Sequence, residues 1–192
     1  KPAIASVTDT VRTPLNDGHS EFSLDQVPMT DRFNELEFSF KTDQMDLTLI
    51  RSVFEHSDPV FKETGVVQSL SELSLTRFRG FVKGFIDLVI RHRGRWYILD
   101  YKTNYLGDTY ADYSPDTIFN AMADHHYFLQ YHLYLVALHR YLTLRLPGYS
   151  YDTHIGGVFY LFIRGMKPGF KSDTGVFFQR PDKRAVELLS GL

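Results

Sequence analysis

The sequence predicts a sheet covered on both faces, an α/β or α+β sandwich, and three features carry that prediction. Residues 81–91 and 95–102 are rich in Phe, Val, Ile, Trp and Tyr and are separated by a very short turn. Gly156 to Ile163 (Gly-Gly-Val-Phe-Tyr-Leu-Phe-Ile) is a continuous apolar run, as expected of a central strand buried on both sides. Between them a helical pattern extends from Ser114-Pro115, an N-cap followed by proline at the first helical position, to about Leu146, where Pro147-Gly148 stops it.

Taken in order, residues 1–30 are polar, contain Pro2, Pro14, Gly18 and Pro28, and show no sustained period. They are expected to form an arm or linker, leaving 31–192 as a single domain. The chain begins with Lys1 rather than Met and is expected to be a piece of a longer protein. Glu35 to Phe40 alternates, with Leu36, Phe38 and Phe40 on one face and Glu35, Glu37 and Ser39 on the other, so it reads as a strand. Residues 44–56 place Met45, Leu49, Ile50 and Phe54 near a helical period. Residues 58–80 predict no definite element. The pattern over 115–146 fits one helix or two, 175–179 a short edge strand, and 182–190 a terminal helix.

Bulk composition narrows the function classes. The formal net charge of −2 carries no global basic signature of a free-standing nucleic-acid binder, though a site can be locally positive. Cysteine is absent, which excludes disulfides and Cys-ligated zinc or iron–sulfur centres and suits a reducing cytoplasm. No stretch approaches 18 consecutive apolar residues, and no charged start with an apolar core marks a signal peptide. There is no P-loop, Gly-x-Gly-x-x-Gly or Gly-x-Ser-x-Gly, so nucleotide hydrolysis and serine-type acyl transfer find no support here.

The chemistry concentrates in the hairpin. With Arg93-Gly94 as a two-residue primed turn, cross-strand partners have numbers summing to 187, and Asp87 faces Asp100 with Cβ atoms roughly 5 Å apart. Lys102, two positions along, points to the same side as Asp100. Two opposed acids interrupting apolar strands require a compensating cation, and a divalent metal is the natural one. Glu37 offers a third carboxylate on a separate strand, and hard oxygen ligands suit magnesium or manganese. Gln130 and Tyr134, at i and i+4, share a helix face and can touch phosphate oxygens or orient water.

Rival features read more plainly. His125, His126, His132 and His139 lack the i, i+4 spacing of a helical zinc site and are expected to be surface or packing residues. Tyr127, Tyr131, Tyr134 and Tyr141 could stack bases, but aromatics at helical spacing usually form core. Arg91, His92, Arg93 and Arg95 at the hairpin tip could steer a phosphate backbone, and a solvated turn explains them equally.

Gly84-Phe85-Ile86-Asp87, Leu99-Asp100-Tyr101-Lys102-Thr103-Asn104 and Leu129-Gln130-Tyr131-His132-Leu133-Tyr134 together resemble the signature of the RecB-type nucleases in the PD-(D/E)XK superfamily. The similarity is strong over residues 80–166. It implies a restriction-endonuclease-like α/β fold, a central mixed sheet flanked by helices, and Mg²⁺-dependent cleavage of DNA phosphodiesters, with Mn²⁺ an alternative. By resemblance Asp87 and Asp100 are metal-binding acids, the Tyr101 carbonyl is a further ligand and Lys102 is the catalytic lysine. Gln130 and Tyr134 match the downstream Gln and Tyr, and Glu37 is the best match for the upstream acid, with Glu35 possible. The implied partners are single strands from unwound duplex, RecC- and RecD-like subunits, and the helicase part of a longer chain acting in double-strand break repair. The chain departs from the family in lacking a Gly-x-x-x-His ahead of Glu37, a source of a further metal ligand. Alternatives are a structure-selective endonuclease and a nuclease-fold docking module with weak or no activity in isolation.

Overall fold

A computed structural model describes residues 7–45, 47–57, 61, 78–169 and 174–191. Its organising feature is the turn at Arg93-Gly94, where both residues take positive φ, 49° and 80°. That is the primed geometry whose twist matches antiparallel strands, and it joins β4 (Phe78–His92) to β5 (Arg95–Lys102) once the shorter elements before them are counted. Those are α1 (Val7–Arg12), β1 (Leu15–Asn16), β2 (Glu21–Phe22), β3 (Arg32–Met45) and α2 (Leu47–Ser57). The pairs run from His92↔Arg95 to Leu88↔Leu99, so the sum of 187 expected from the turn holds throughout.

After the hairpin come α3 (Pro115–Asp124), α4 (Tyr127–Arg145), α5 (Tyr151–His154), β6 (Ile155–Phe162), β7 (Val176–Gln179) and α6 (Lys183–Ser190). The five-stranded sheet has order β3-β4-β5-β6-β7. It is mixed, because β6 lies parallel to β5 while β4 is antiparallel to β5 and β7 to β6. The long helical stretch is two helices: His126 takes φ 55°, a left-handed conformation that a helix cannot continue through. Of the stretch expected to hold no element, residues 58–60 and 62–77 lie outside the described residues, and β4 begins at Phe78. No described helix is long and apolar enough to cross a membrane.

The chain divides into two compact units, each assembled from three stretches. The first comprises 1–36, 86–121 and 155–180. Here Leu88, Ile90, Tyr97, Leu99, Phe159 and Leu161, one face of the sheet, pack against Leu15, Phe22, Leu24 and Val27. The segment read as part of an arm is therefore the layer that covers this face. Its polar residues make turns: Asp17 accepts from the His19 and Ser20 amides, and Arg32 donates to the carbonyls of Leu24 and Val27. The apolar residues between those turns are too few and too irregular to show a period. Val89, Ile98 and Tyr160, on the opposite face, are also buried, as two apolar faces require.

The second unit comprises 37–85, 122–154 and 181–192. Within it α6 packs on α2 and α4, and His132 lies among the rings of Phe54, Phe61 and Tyr131. Phe38 occupies the space beside Gly84, where a Cβ would come within 2.9 Å of its ring. In β3 the expected alternation holds, Leu36, Phe38 and Phe40 being more buried than Glu35, Glu37 and Ser39. Glu35 itself has φ 49°, the kind of local kink that accompanies a bulge, so Glu35 and Glu37 are not equivalent positions related by a simple slip of two.

Candidate active site

The hairpin register decides how the acids meet. The ladder between β4 and β5 ends at Leu88↔Leu99, whereas β5 continues beside β6 to Lys102↔Phe162. Asp87 and Asp100 are the next residues beyond the last ladder pair, at the fork where β4 and β5 stop pairing. The Asp87 carboxylate accepts the Tyr101 N–H at 3.0 Å. A side chain thus takes the place of a ladder acceptor and closes the end of the pairing. In an extended strand a residue's N–H and C=O point to the same side, so the Tyr101 carbonyl faces the fork as well. The next carbonyl, that of Lys102, points the other way and accepts from Ile163 N–H at 3.1 Å.

Asp100 is 2% exposed. Burial raises its pKa, Lys102 opposes that shift without cancelling it, and the nearby Asp87 charge adds to it. Lys102 Nζ lies 2.5 Å from Asp100 Oδ2, its side chain 11% exposed, and sits 5.1 Å from the centre of the Tyr160 ring. Tyr160 is the β6 residue in register with Asp100. The ammonium is therefore held between a carboxylate and an aromatic face. Apart from this ion pair, Asp100 Oδ2 receives no hydrogen bond among the described residues.

Gln130 and Tyr134 belong to the second unit. Gln130 Nε2 donates to the Tyr134 hydroxyl at 2.9 Å, as i, i+4 spacing allows, and the Tyr134 ring meets Phe38 edge-on. Glu37, also in this unit, is exposed and pairs with Lys83 at 3.1 Å. Among the described residues no three His, Asp or Glu side chains gather as a metal cluster.

A family model for the PD-(D/E)XK nuclease superfamily matches residues 15–188. The chain belongs to that superfamily. Curated relatives named RecBCD enzyme subunit RecB include those of Escherichia coli (strain K12), 36% identical over 184 residues, and Haemophilus influenzae, 45% identical over 120 residues. The Mycobacterium tuberculosis (strain H37Rv) protein of the same name is 36% identical over 199 aligned residues. These alignments cover 95%, 62% and 94% of this chain but only 15%, 10% and 18% of the relatives.

For a PD-(D/E)XK chain the donor set at the fork is chemically suited to a hard divalent cation. Two carboxylates come from strands that are adjacent in the sheet, a backbone carbonyl faces the same gap, and the buried Asp100 Oδ2 receives nothing beyond its Lys102 ion pair among the described residues. The histidines take the packing role expected of them. His132 hydrogen-bonds to the Phe128 carbonyl at 2.7 Å and His139 to the Tyr149 hydroxyl at 2.8 Å. Tyr131 and Tyr134 are buried, while Tyr141 is exposed.

Two contributors escaped the sequence reading. Tyr160 lay hidden inside an apolar run, and only the β5–β6 register puts it beneath Lys102. Arg164 donates to the Thr103 carbonyl at 2.9 Å and braces the chain just after Lys102. An arginine directly after an apolar strand is the one signal that could have marked it.

Proposed function

We propose that this chain is the nuclease module of a RecBCD-type helicase–nuclease, a magnesium-dependent deoxyribonuclease acting on strands released from unwound duplex during double-strand break repair by recombination. RecC- and RecD-like subunits and a helicase segment of the same protein are its proposed partners, and the cytoplasm its proposed compartment. The observation that carries the proposal is Asp100, a buried carboxylate with a lysine against it and a second acid one strand away.

Asp87, Asp100 and the Tyr101 carbonyl would hold the cation, with Glu37 a further proposed ligand. Bound there, a divalent ion supplies phosphate polarisation and a more acidic water. Lys102 faces the charge that develops as a water oxygen bonds to phosphorus and the bridging ester oxygen leaves, and it orients that water. Tyr160 and Asp100 fix the ammonium in advance, so little reorganisation accompanies the reaction. Gln130 and Tyr134, already joined, would position the nucleophile or the neighbouring phosphate. Recognition resting on backbone contacts makes cleavage largely indifferent to sequence.

Asp100→Ala and Asp87→Asn are each expected to lower Mg²⁺-dependent cleavage of linear DNA by about a thousandfold, equivalent to the several kcal/mol such an ion contributes. Calorimetric titration with Mg²⁺ should lose its binding heat in parallel. Undiminished cleavage by either variant, or cleavage that persists in excess chelator, removes the assignment. Comparing linear with branched duplexes separates the structure-selective reading.

A further inference from the structure

Three residues beyond Lys102, Tyr105 is 61% exposed. A single exposed ring is ordinary on a protein surface, so its setting decides what it can do. Here the ring stands on a loop immobilised from several sides. Arg164 Nε donates to the Thr103 carbonyl at 2.9 Å. The Tyr113 hydroxyl accepts from the Leu106 N–H at 3.2 Å and lies 3.4 Å from the Asn104 carbonyl. Asp112 caps the next turn, accepting from the Thr109 amide at 2.7 Å and hydroxyl at 2.9 Å. Gly107, with φ 157°, admits that carboxylate, since a Cβ would lie 2.4 Å from it.

Basic groups lie near the loop, which itself carries the carboxylates of Asp108 and Asp112. Lys167 Nζ sits 5.4 Å from the Tyr110 ring centre, and Arg164 and Lys102 flank the root of the loop. Three residues of chain span at most about 10 Å, so the Tyr105 backbone lies within about that distance of the Lys102 backbone. Aromatic faces beside cations are what single-stranded nucleic acid uses: bases stack on rings without regard to sequence while the backbone follows positive charge. A ring whose loop is already ordered binds without a large ordering cost.

From this placement we propose that Tyr105 is a stacking platform for a base of single-stranded DNA beside the scissile phosphate. It is a positioning residue that sets how the strand lies across Asp87, Asp100 and Lys102. The inference rests on the nuclease reading for its choice of ligand, and its principal readout is independent of cleavage.

The test uses the whole natural protein and oligothymidylate carrying a single 2-aminopurine, whose fluorescence falls when the base stacks. In chelator, wild type is expected to quench the probe and Tyr105→Phe to retain that quenching, whereas Tyr105→Ala and Tyr105→Leu lose it and bind about tenfold more weakly. With Mg²⁺, Tyr105→Ala is expected to raise KM about tenfold with kcat nearly unchanged. Equal quenching and affinity for wild type, Ala and Leu variants would overturn the proposal, as would absence of quenching in wild type. Ring-dependent quenching without any metal-dependent cleavage would uphold the platform and defeat the nuclease reading instead.

Discussion

Asp100 on β5 is buried beside a full positive charge, the Lys102 ammonium 2.5 Å away. His132 on α4 is buried among the rings of Phe54, Phe61 and Tyr131, with a backbone carbonyl 2.7 Å from its Nδ1. Both groups are titratable and both lose water, yet their surroundings resolve the cost in opposite ways. Desolvation pushes the His132 pKa down to about 4, so the ring stays neutral and packs like an aromatic. Asp100 is pushed up by burial but has a cation that supports its charged form. Keeping an ion pair in an interior is weak evidence for stability, because apolar replacements of the same volume often do as well. A pair retained at that cost is better explained by chemistry that needs the charges, and a neutralised histidine is better explained by packing.

The largest effect expected to sharpen this contrast comes from Lys102→Met. In metal-free buffer at pH 7 it is expected to destabilise the fold by about 3 kcal/mol, because a buried carboxylate loses its partner. Denaturant unfolding gives the value. A raised folded pKa means that the native state holds its proton where the unfolded chain has released it, so this cost grows as pH rises above the ordinary 3.8 and shrinks as pH falls toward it. Adding Asp100→Asn is expected to restore most of the loss. A double variant as unstable as the single one would break the comparison.

His132→Leu tests the other side. The unfolded histidine takes up a proton near pH 6.5, whereas the folded one resists until about pH 4, so wild type loses stability as pH falls between those values. The leucine variant is expected to be spared that acid loss, on the order of 3 kcal/mol at the lower end. Urea midpoints at pH 7 and pH 4.5 measure it, and parallel declines for both proteins would assign the acid sensitivity elsewhere.

How far these roles were legible depended on range. The register that leads to Asp87 and Asp100 followed from a two-residue turn and strand alternation, both local rules, and the observed pairs obey it as far as Leu88↔Leu99. The fork did not follow, because it depends on where β4 stops pairing with β5, a property of the whole sheet. Tyr160 beneath Lys102 required a parallel pairing across more than fifty residues. The N-terminal layer was invisible for a different reason: Leu15, Phe22, Leu24 and Val27 are spread over turns stabilised by Asp17 and Arg32, so they have no common period. The histidines were ambiguous by type and became clear only when their neighbours were known.

A smaller effect is expected at Tyr97, whose hydroxyl donates to Asp17 Oδ2 at 2.7 Å beneath the N-terminal layer. Burial works against the Asp17 carboxylate, but the bonds from Tyr97, His19 and Ser20 outweigh it and hold its pKa below 3.8. A lowered folded pKa contributes stability that is present above 3.8 and disappears as pH falls through the folded value. Tyr97→Phe is expected to cost about 1–2 kcal/mol at pH 7 by leaving a largely buried acceptor short of a donor. The deficit should narrow in acid, as thermal unfolding at pH 7 and pH 3 would show. A constant deficit would mean that the lost hydroxyl acted through packing alone.

The hairpin tip supplies the smallest effect and the reference for both buried groups. Arg91 straddles Asp31 Oδ1 with Nε at 3.0 Å and Nη2 at 2.7 Å, but its side chain is about half exposed. Water screens such a pair, so Arg91→Ala is expected to cost less than about 1 kcal/mol, and less again in high salt. The same variant separates the two readings of the basic tip. If Arg91 serves only Asp31, the salt dependence of DNA binding should match that of wild type. A slope reduced by about one unit would show that the guanidinium neutralises a phosphate. Arg91 would then join the DNA-binding surface, and exposure by itself would no longer distinguish structural ion pairs from functional ones in this protein.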